Sequence, residues 1–146
     1  MYRIMLAIDG SDHSQKVIDE ALIIAEALKA EVTIINVSWG SVMSPGVSIH
    51  LSDEELDRIA KNIKQDSEEI VEKAAKQFRD KGLTAKTKVI YDRKAPSDAI
   101  CAMVEDNEFN LVVLGSHGLR GIREAFLGSV SNKVAHCAKT NVLIVK

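Results

Sequence analysis

Four of the eight glycines in this 146-residue chain fall within one short stretch, Gly115, Gly118, Gly121 and Gly128, and Ser129 and Ser131 follow them. Glycine lacks a Cβ, so the cluster indicates that the backbone approaches another group closely. An apolar run from 111 to 114 precedes the cluster, and a helical pattern begins after it. A helix N-terminus after such a turn presents free N–H groups and a positive dipole end to an anion. These residues therefore predict a phosphate-binding loop.

The region around these glycines is basic, although the whole chain has a formal net charge of −2. Residues 115–146 contain five lysines or arginines and one glutamate, whereas the other 114 residues contain 14 basic and 20 acidic groups. A local positive region favours a small anionic ligand, because nucleic acid would require a broad basic face. We therefore predict no nucleic-acid partner, although uneven surface charge alone would give the same counts. Arg120 and Arg123 either screen phosphates or face water.

The spacing of the glycines separates this loop from the common motifs of nucleotide hydrolysis and dinucleotide binding. A Walker loop requires a lysine directly after its second glycine, and none follows Gly128. The dinucleotide fingerprint belongs after the first strand and pairs with an acid at the end of the second, where Val37 and Ser38 stand. His117 has no predicted nucleophile or carboxylate partner, so we interpret it as a loop side chain that contacts phosphate or solvent. No residue is predicted to be catalytic.

Length and composition predict a single globular domain over residues 1–146. Hydrophobic residues make up 46% of the chain and aromatic residues only 4%, so we expect an aliphatic core. No apolar run is long enough for a membrane span and the N-terminus lacks a signal pattern, which predicts a cytoplasmic protein without a membrane partner. Cys101 and Cys137 are too few and too far apart for a disulfide framework, so we expect two small buried hydrophobes.

Apolar runs and helical periodicities alternate along the chain. Continuous runs predict buried strands at 3–8, 32–37, 111–114 and 141–145, and alternation predicts an edge strand at 84–90. Helical spacing predicts helices at 14–30, at 53–81, after Pro96 and at 129–138. We expect Ser11 or Ser14 to cap the first helix and Gly82 to end the second. Residues 38–51 show no period and are interpreted as a long loop.

This order of elements predicts an α/β fold: a doubly wound, five-stranded parallel sheet with helices on both faces. In such sheets, ligands bind beyond the carboxyl ends of the strands, where the strand order reverses. Among the predicted strands, the first and the fourth are followed by residues suited to chemistry, Asp9 and Gly115. If these two strands are neighbours, the strand order is 3-2-1-4-5 and both residues belong to one site.

The pattern Gly115-x2-Gly118-x9-Gly128-Ser129 resembles the signature of the ATP-binding branch of the universal stress proteins. The resemblance covers the whole chain, including Asp9 and the terminal apolar strand. It implies a Rossmann-like sheet, ATP in its crevice, and a homodimer formed through the last strand, Asn141 to Val145. Members of this family are mostly described as nucleotide-binding stress-response regulators, with ATP turnover weak or absent.

The resemblance also implies a role for each matching position. The residues implied around the adenine and ribose are Ala7, Ile8, Asp9, Val37, Leu114 and Gly115. Those implied around the phosphates are Ser116, His117, Gly118, Gly128, Ser129, Val130 and Ser131. A Mg²⁺ or Mn²⁺ ion would bridge the phosphates of ATP, but no carboxylate cluster identifies its protein ligands. Read from the residues alone, Asp9 could instead cap the turn before the first helix.

Two other functions remain open beside an ATP-binding regulator that acts on an unidentified protein partner. One is a slow ATP hydrolase or nucleotidyl transferase that uses the same pocket. The other is a protein–protein module that selects another adenine nucleotide, such as cyclic AMP. In each case we expect a dimer, because the terminal strand carries no proline or internal lysine to protect its edge.

Overall fold

The computed structural model describes residues 1–39, 52–92, 95–118 and 127–146, over which strands and helices alternate. The elements are β1 (Arg3–Ala7), α1 (Ser14–Leu28), β2 (Glu31–Trp39), α2 (Asp53–Asp80), β3 (Ala85–Asp92), α3 (Pro96–Asp106), β4 (Leu111–Gly115), α4 (Ser129–Cys137) and β5 (Asn141–Val145). Most of the interpreted loop at 38–51 lies outside the described residues, as do Arg120 and Arg123. Within the described residues, no helix is long and apolar enough to cross a bilayer.

The five strands form one parallel sheet in the order β3-β2-β1-β4-β5. This confirms the predicted strand order. The chain adds β2 and β3 on one side of β1 and then crosses over to add β4 and β5 on the other. Ala7, the last residue of β1, pairs with Ile35 of β2 and with Leu114 of β4. The reversal of strand order therefore lies between the carboxyl ends of β1 and β4, where ligands of open α/β sheets bind.

The core has two parts, one on each face of the sheet. Alternate residues of β1 point to opposite faces, so Ile4 and Leu6 pack with α1 and α2, whereas Met5 packs with α3 and α4. All three side chains are fully buried. The helices cover both faces, which explains why β1 and β4 are apolar at successive positions instead of alternating. As predicted, β3 is an edge strand.

The ends of α2 show how local sequence sets a helix boundary. The Ser52 hydroxyl accepts a hydrogen bond from the Glu55 amide at 3.3 Å, and the Glu55 carboxylate accepts from the Ser52 amide at 2.8 Å. This reciprocal capping box lowers the pKa of Glu55, since the backbone hydrogen bond and then the hydroxyl hydrogen bond favour the charged form. At the other end, Gly82 takes the left-handed backbone expected after a helix, with φ of 76°.

Three local predictions were wrong. Residue His13, and neither Ser11 nor Ser14, is the N-cap of α1, and no side-chain hydrogen bond caps it. The second and third strands run further than predicted, because their backbones continue to pair through Ser38 with Tyr91 and Trp39 with Asp92. A parallel ladder is a backbone interaction, so polar side chains end the apolar pattern without ending the strand.

The prediction of two unpaired cysteines was also wrong. A disulfide joins Cys101 of α3 to Cys137 of α4, with a Cα–Cα distance of 6.1 Å, within the usual range for such bonds. The two residues are 36 positions apart in the sequence. They meet because α3 and α4 pack beside each other on the same face of the sheet, which sequence spacing alone does not show.

Candidate functional site

Asp9 follows β1 directly and fixes the turn that leads into α1. Its Oδ1 accepts hydrogen bonds from the Ser11 amide at 3.0 Å and from the Ser14 hydroxyl at 3.1 Å. The role of Asp9 in capping this turn, one of the two readings of the sequence, is therefore present in the structure. The second carboxylate oxygen, Oδ2, lies towards the loop after β4.

Gly118 meets this carboxylate from the other side of the strand-order reversal. A Cβ placed on Gly118 would lie only 2.7 Å from Asp9 Oδ2, closer than a real Cβ approaches any oxygen. The absence of a side chain at 118 is therefore what allows the two loops to touch. This contact confirms that the ends of β1 and β4, predicted from distant parts of the sequence, form one region.

Ser116, the residue after β4, forms hydrogen bonds to the start of α4 and to the end of β5. Its carbonyl oxygen accepts hydrogen bonds from the Gly128 amide at 2.7 Å and from the Ser131 hydroxyl at 3.1 Å. Its own amide donates to the Val145 carbonyl at the end of β5, at 2.7 Å. A Cβ on Gly128 would lie 2.9 Å from the Ser116 carbonyl oxygen, so glycine is needed there for the loop to close. Gly128 and Ser131 are thus held against the residue that follows β4.

The α4 helix begins directly after this contact. Gly128 is its N-cap residue, no side-chain hydrogen bond caps the helix there, and its first turn contains no acidic residue. Ser129 is exposed and Val130 is half-buried, whereas Ser131 is only 2% exposed. The first amides of a helix lack intrahelical partners and carry partial positive charge. This end of α4 therefore offers N–H donors and a neighbouring hydroxyl to an anion.

His117 lies between these groups, in the middle of the loop. Its Nδ1 is 2.8 Å from the Ser116 hydroxyl. Its Nε2 is buried and has no hydrogen-bond partner among the described residues. A buried ring nitrogen without a partner is costly, so this atom is available to a group that enters the site.

The adenine side of the predicted site is formed by the ends of β1 and β2. Val37 and Ala7 are half-buried and pack on the face covered by α3 and α4, whereas Ile8 is buried on the opposite face. The sequence analysis missed Asn36, which is 6% exposed and donates from Nδ2 to the Ile8 carbonyl at 2.9 Å. An amide within the apolar run of β2 was the available signal, because a buried polar side chain requires a partner.

Gly115 serves a packing role that the glycine pattern did not reveal. A Cβ there would lie 3.0 Å from His13 Cδ2 and 3.3 Å from Val17 Cγ2, both on the α1 side. His13 is half-buried, and its Nε2 lies 3.1 Å from the Val145 carbonyl oxygen. Glycine at 115 therefore lets the start of α1 pack closely on the end of β4.

The structure brings all the sequence-predicted site residues to one edge of the sheet. They come from the end of β1, the end of β2, the end of β4 with its loop, and the start of α4. Among the described residues, no three His, Cys, Asp or Glu side chains gather as a metal site would require. The arrangement combines a carboxylate, hydroxyls and helix amides, which suits a ligand with both hydroxyl and anionic groups.

The strand order and the loop at its reversal define a Rossmann-like α/β protein. The sequence model of the Universal stress protein family matches residues 1–146, and the chain belongs to that family. The chain is 33% identical over 148 residues to universal stress protein YxiE of Bacillus subtilis (strain 168), with 99% of this chain and 98% of the relative covered.

Solved structures agree with this fold. The universal stress protein UspA from Lactobacillus plantarum superposes with a TM-score of 0.83 at 22% identity, covering 99% of this chain and 97% of that one. A universal stress protein solved in complex with cAMP superposes with a TM-score of 0.67 at 27% identity, again covering 99% of this chain and 97% of the other.

Proposed function

We propose that this protein binds ATP at the carboxyl edge of its sheet and acts as a nucleotide-dependent stress-response regulator, with weak or no ATP hydrolysis. The observation that carries the proposal is the contact between Asp9 and Gly118 beside the uncapped N-terminus of α4. The proposal is supported because a carboxylate can accept from hydroxyl groups and a helix N-terminus attracts anions, and both lie near the same reversal of strand order.

Each part of the ligand has a matching part of the site. The ribose hydroxyls donate hydrogen bonds to the Asp9 carboxylate, while the adenine lies against Ala7 and Val37. The phosphates accept from the first amides of α4, from the Ser129 hydroxyl and from His117 Nε2, the buried nitrogen without a partner among the described residues. Leu114, Ser116 and Gly128 set the position of this loop, and Val130 anchors the first turn of the helix.

A divalent ion fits this site only as a companion of the phosphates. The donors at this edge are carboxylate and hydroxyl oxygens, which Mg²⁺ and Mn²⁺ accept, but the described residues supply no cluster that could bind an ion alone. The ion would neutralise phosphate charge when ATP is bound.

Equilibrium dialysis of labelled ATP against the full chain tests the proposal. We expect Gly118→Ala to weaken binding at least about tenfold, because the added Cβ displaces the Asp9 carboxylate. The matched control is Gly82→Ala, which strains a backbone of φ 76° but meets no atom within 4 Å and lies at the other edge of the sheet. ATP binding that is undetectable at millimolar nucleotide, or equal in both variants, would contradict the proposal.

Cyclic AMP is a second candidate ligand, favoured by the 27% identical structure solved with that nucleotide. The two nucleotides differ in the number of phosphates that α4 must hold, so one competition experiment separates them. If cyclic AMP displaces labelled ATP at a lower concentration than unlabelled ATP does, the site belongs to the cyclic nucleotide.

We also propose that the protein works in the cytoplasm as a homodimer formed through β5. This strand pairs with β4 alone in the sheet, and Val142, Leu143 and Ile144 remain partly exposed on it. An apolar edge strand is a template for pairing with a second copy. Light scattering at micromolar protein should give twice the monomer mass, and a monomeric mass would refute the dimer.

A further inference from the structure

Two links join α3 to α4, and a third joins α3 to Lys139, just after the C-cap of α4. Asp98 pairs with Lys133 at 2.5 Å, Cys101 is bonded to Cys137, and Glu105 pairs with Lys139 at 2.8 Å. The α3 residues are three and then four positions apart, so they share one face of that helix. Both ion pairs are exposed to solvent and therefore hold the helices weakly. The disulfide is the strong link of the three.

Apart from these links, α4 is held by a small set of contacts: Ser131 donates to the Ser116 carbonyl, and Val130 and Val134 pack on the core. It is nine residues long, and only Ser131 and Val134 in it are buried. Short helices are marginal unless tertiary packing supports them. The N-terminus of this helix carries Gly128 and Ser129, the phosphate side of the candidate site. The position of that end therefore depends on how firmly α4 is attached to α3.

We propose that the Cys101–Cys137 pair is a reversible redox site that sets the affinity of the nucleotide site, an inference that rests on the proposed function. When the disulfide is formed, α4 is fixed on α3 and its N-terminal amides point at the position of the phosphates. When it is reduced, α4 loses its covalent anchor and spends part of its time displaced. Apparent affinity falls in proportion to the time spent in the binding position.

A small-molecule disulfide such as glutathione disulfide supplies the oxidant. Cys137 is half-buried and Cys101 is 9% exposed, so Cys137 is the sulfur that a small molecule reaches first. Its thiolate attacks one sulfur of glutathione disulfide, and the first glutathione thiolate leaves. The Cys101 thiolate then attacks Cys137 Sγ in the mixed disulfide and expels the second. Two electrons pass to glutathione disulfide, and the two protons from the cysteines end on the two glutathione molecules.

Hydrogen exchange of the full chain tests the structural half of this proposal without any nucleotide. Protein oxidised by glutathione disulfide is compared with protein reduced by a phosphine. We expect the amides of α4 to exchange at least about tenfold more slowly in the oxidised form, under conditions where they exchange by local opening, whereas the amides of β1 exchange through global unfolding and report the stability of the whole domain. Equal exchange of α4 in the two forms would overturn the proposal, whether or not the protein binds ATP.

Dialysis with labelled ATP tests the functional half. If α4 is in position about a tenth of the time after reduction, ATP binds about tenfold more weakly to the reduced form. Linkage then requires that saturating ATP shift the value of [GSH]²/[GSSG] at half-oxidation by the same factor. The Cys137→Ser variant, which retains the fold of the reduced form, should respond to neither treatment.

The outcomes separate the two proposals. Equal ATP affinity in the oxidised and reduced wild-type protein would overturn the redox link while leaving ATP binding intact. ATP binding that is absent in both forms would remove the proposed function, and α4 exchange would then decide the redox link. A Cys137→Ser variant whose ATP affinity still rises on oxidation would also overturn the redox link. The Cys101→Ala variant repeats this test at the other cysteine.

Discussion

The helices α2 and α4 begin in opposite electrostatic settings. The first turn of α2 contains Asp53, Glu54 and Glu55, and its capping box uses two of the backbone donors at that end. The first turn of α4 contains no acid, and no side-chain hydrogen bond caps it at Gly128. One helix supplies its own negative charge, whereas the other leaves its positive end for an external anion. The difference is why we propose the N-terminus of α4, and not that of α2, as the phosphate site.

The two helices also differ in how they are held. The α2 helix is 28 residues long and buries Val71, Ala74, Ala75 and Phe78 against the sheet. The α4 helix buries far less and is tied to α3 through its disulfide. The first turn of α4 is held by hydrogen bonds to Ser116, and its last residue is held by the disulfide.

The largest expected effect is on the attachment of α4. Closing a loop of 36 residues should make the disulfide worth about 4 kcal/mol of unfolding free energy. We therefore expect reduction of the wild-type protein to lower its urea midpoint by a corresponding amount. Cys101→Ala should show no such response to reductant. A midpoint unchanged by reduction would mean that packing alone holds α4.

The next effect tests the open end of α4 directly. Ser129→Asp gives this helix the acid that α2 already has, so it should stabilise the free protein by about 0.5 kcal/mol. The same carboxylate repels the phosphates, and we expect ATP affinity to fall by more than about tenfold. Dialysis and urea unfolding measure the two effects, with Ser129→Asn as the uncharged control. If Ser129→Asp bound ATP with the wild-type affinity, the phosphates would have to lie away from the N-terminus of α4.

The converse change removes the cap of α2. Ser52→Ala eliminates the hydroxyl that accepts from the Glu55 amide and should cost about 1 kcal/mol of unfolding free energy. ATP affinity should not change, because the N-terminus of α2 is not part of the proposed phosphate site. If this variant lost ATP binding, the contrast between the two helix ends would be wrong.

The smallest effect is a pH dependence at α2. The pKa of Glu55 is lowered by its hydrogen bonds to Ser52, so its contribution to stability is present above the unfolded-state pKa. That contribution is lost as pH falls through the lower pKa of the folded state. The Tm of Glu55→Gln should therefore lie below that of the wild type at pH 7 and converge with it well below about pH 4. A constant difference across this range would count against the capping box.

The features that the sequence predicted well are those that depend on neighbours in the chain. Apolar runs located β1 and β4, and helical spacing with Gly82 at its end bounded α2, because strand burial and helix termination leave local patterns. The strand order was predicted on the condition that the strands before Asp9 and Gly115 are neighbours, and the structure meets that condition. The predicted site residues came from family resemblance and glycine spacing, and the structure brings them to one edge.

The features that the sequence missed depend on contacts between distant elements. The Cys101–Cys137 bond requires α3 and α4 to lie side by side, and His13 is half-buried because α1 crosses the end of β4. Asn36 stands in an apolar run that predicted only a strand, although its side chain holds the end of β1. None of these roles can be read from spacing alone, because each partner comes from another element.

The fit between Gly118 and Asp9 makes the two positions interdependent through evolution. A side chain at 118 would require the Asp9 carboxylate to rotate away or residue 9 to be shorter, because the Cβ would otherwise lie only 2.7 Å from the carboxylate oxygen. The Asp9→Ala change should therefore relieve the structural cost of Gly118→Ala, although it also removes the carboxylate. Loss of the Asp9 carboxylate and gain of a side chain at position 118 are therefore expected to occur together. A homologue with alanine at 118 and aspartate at 9 would need a differently shaped loop.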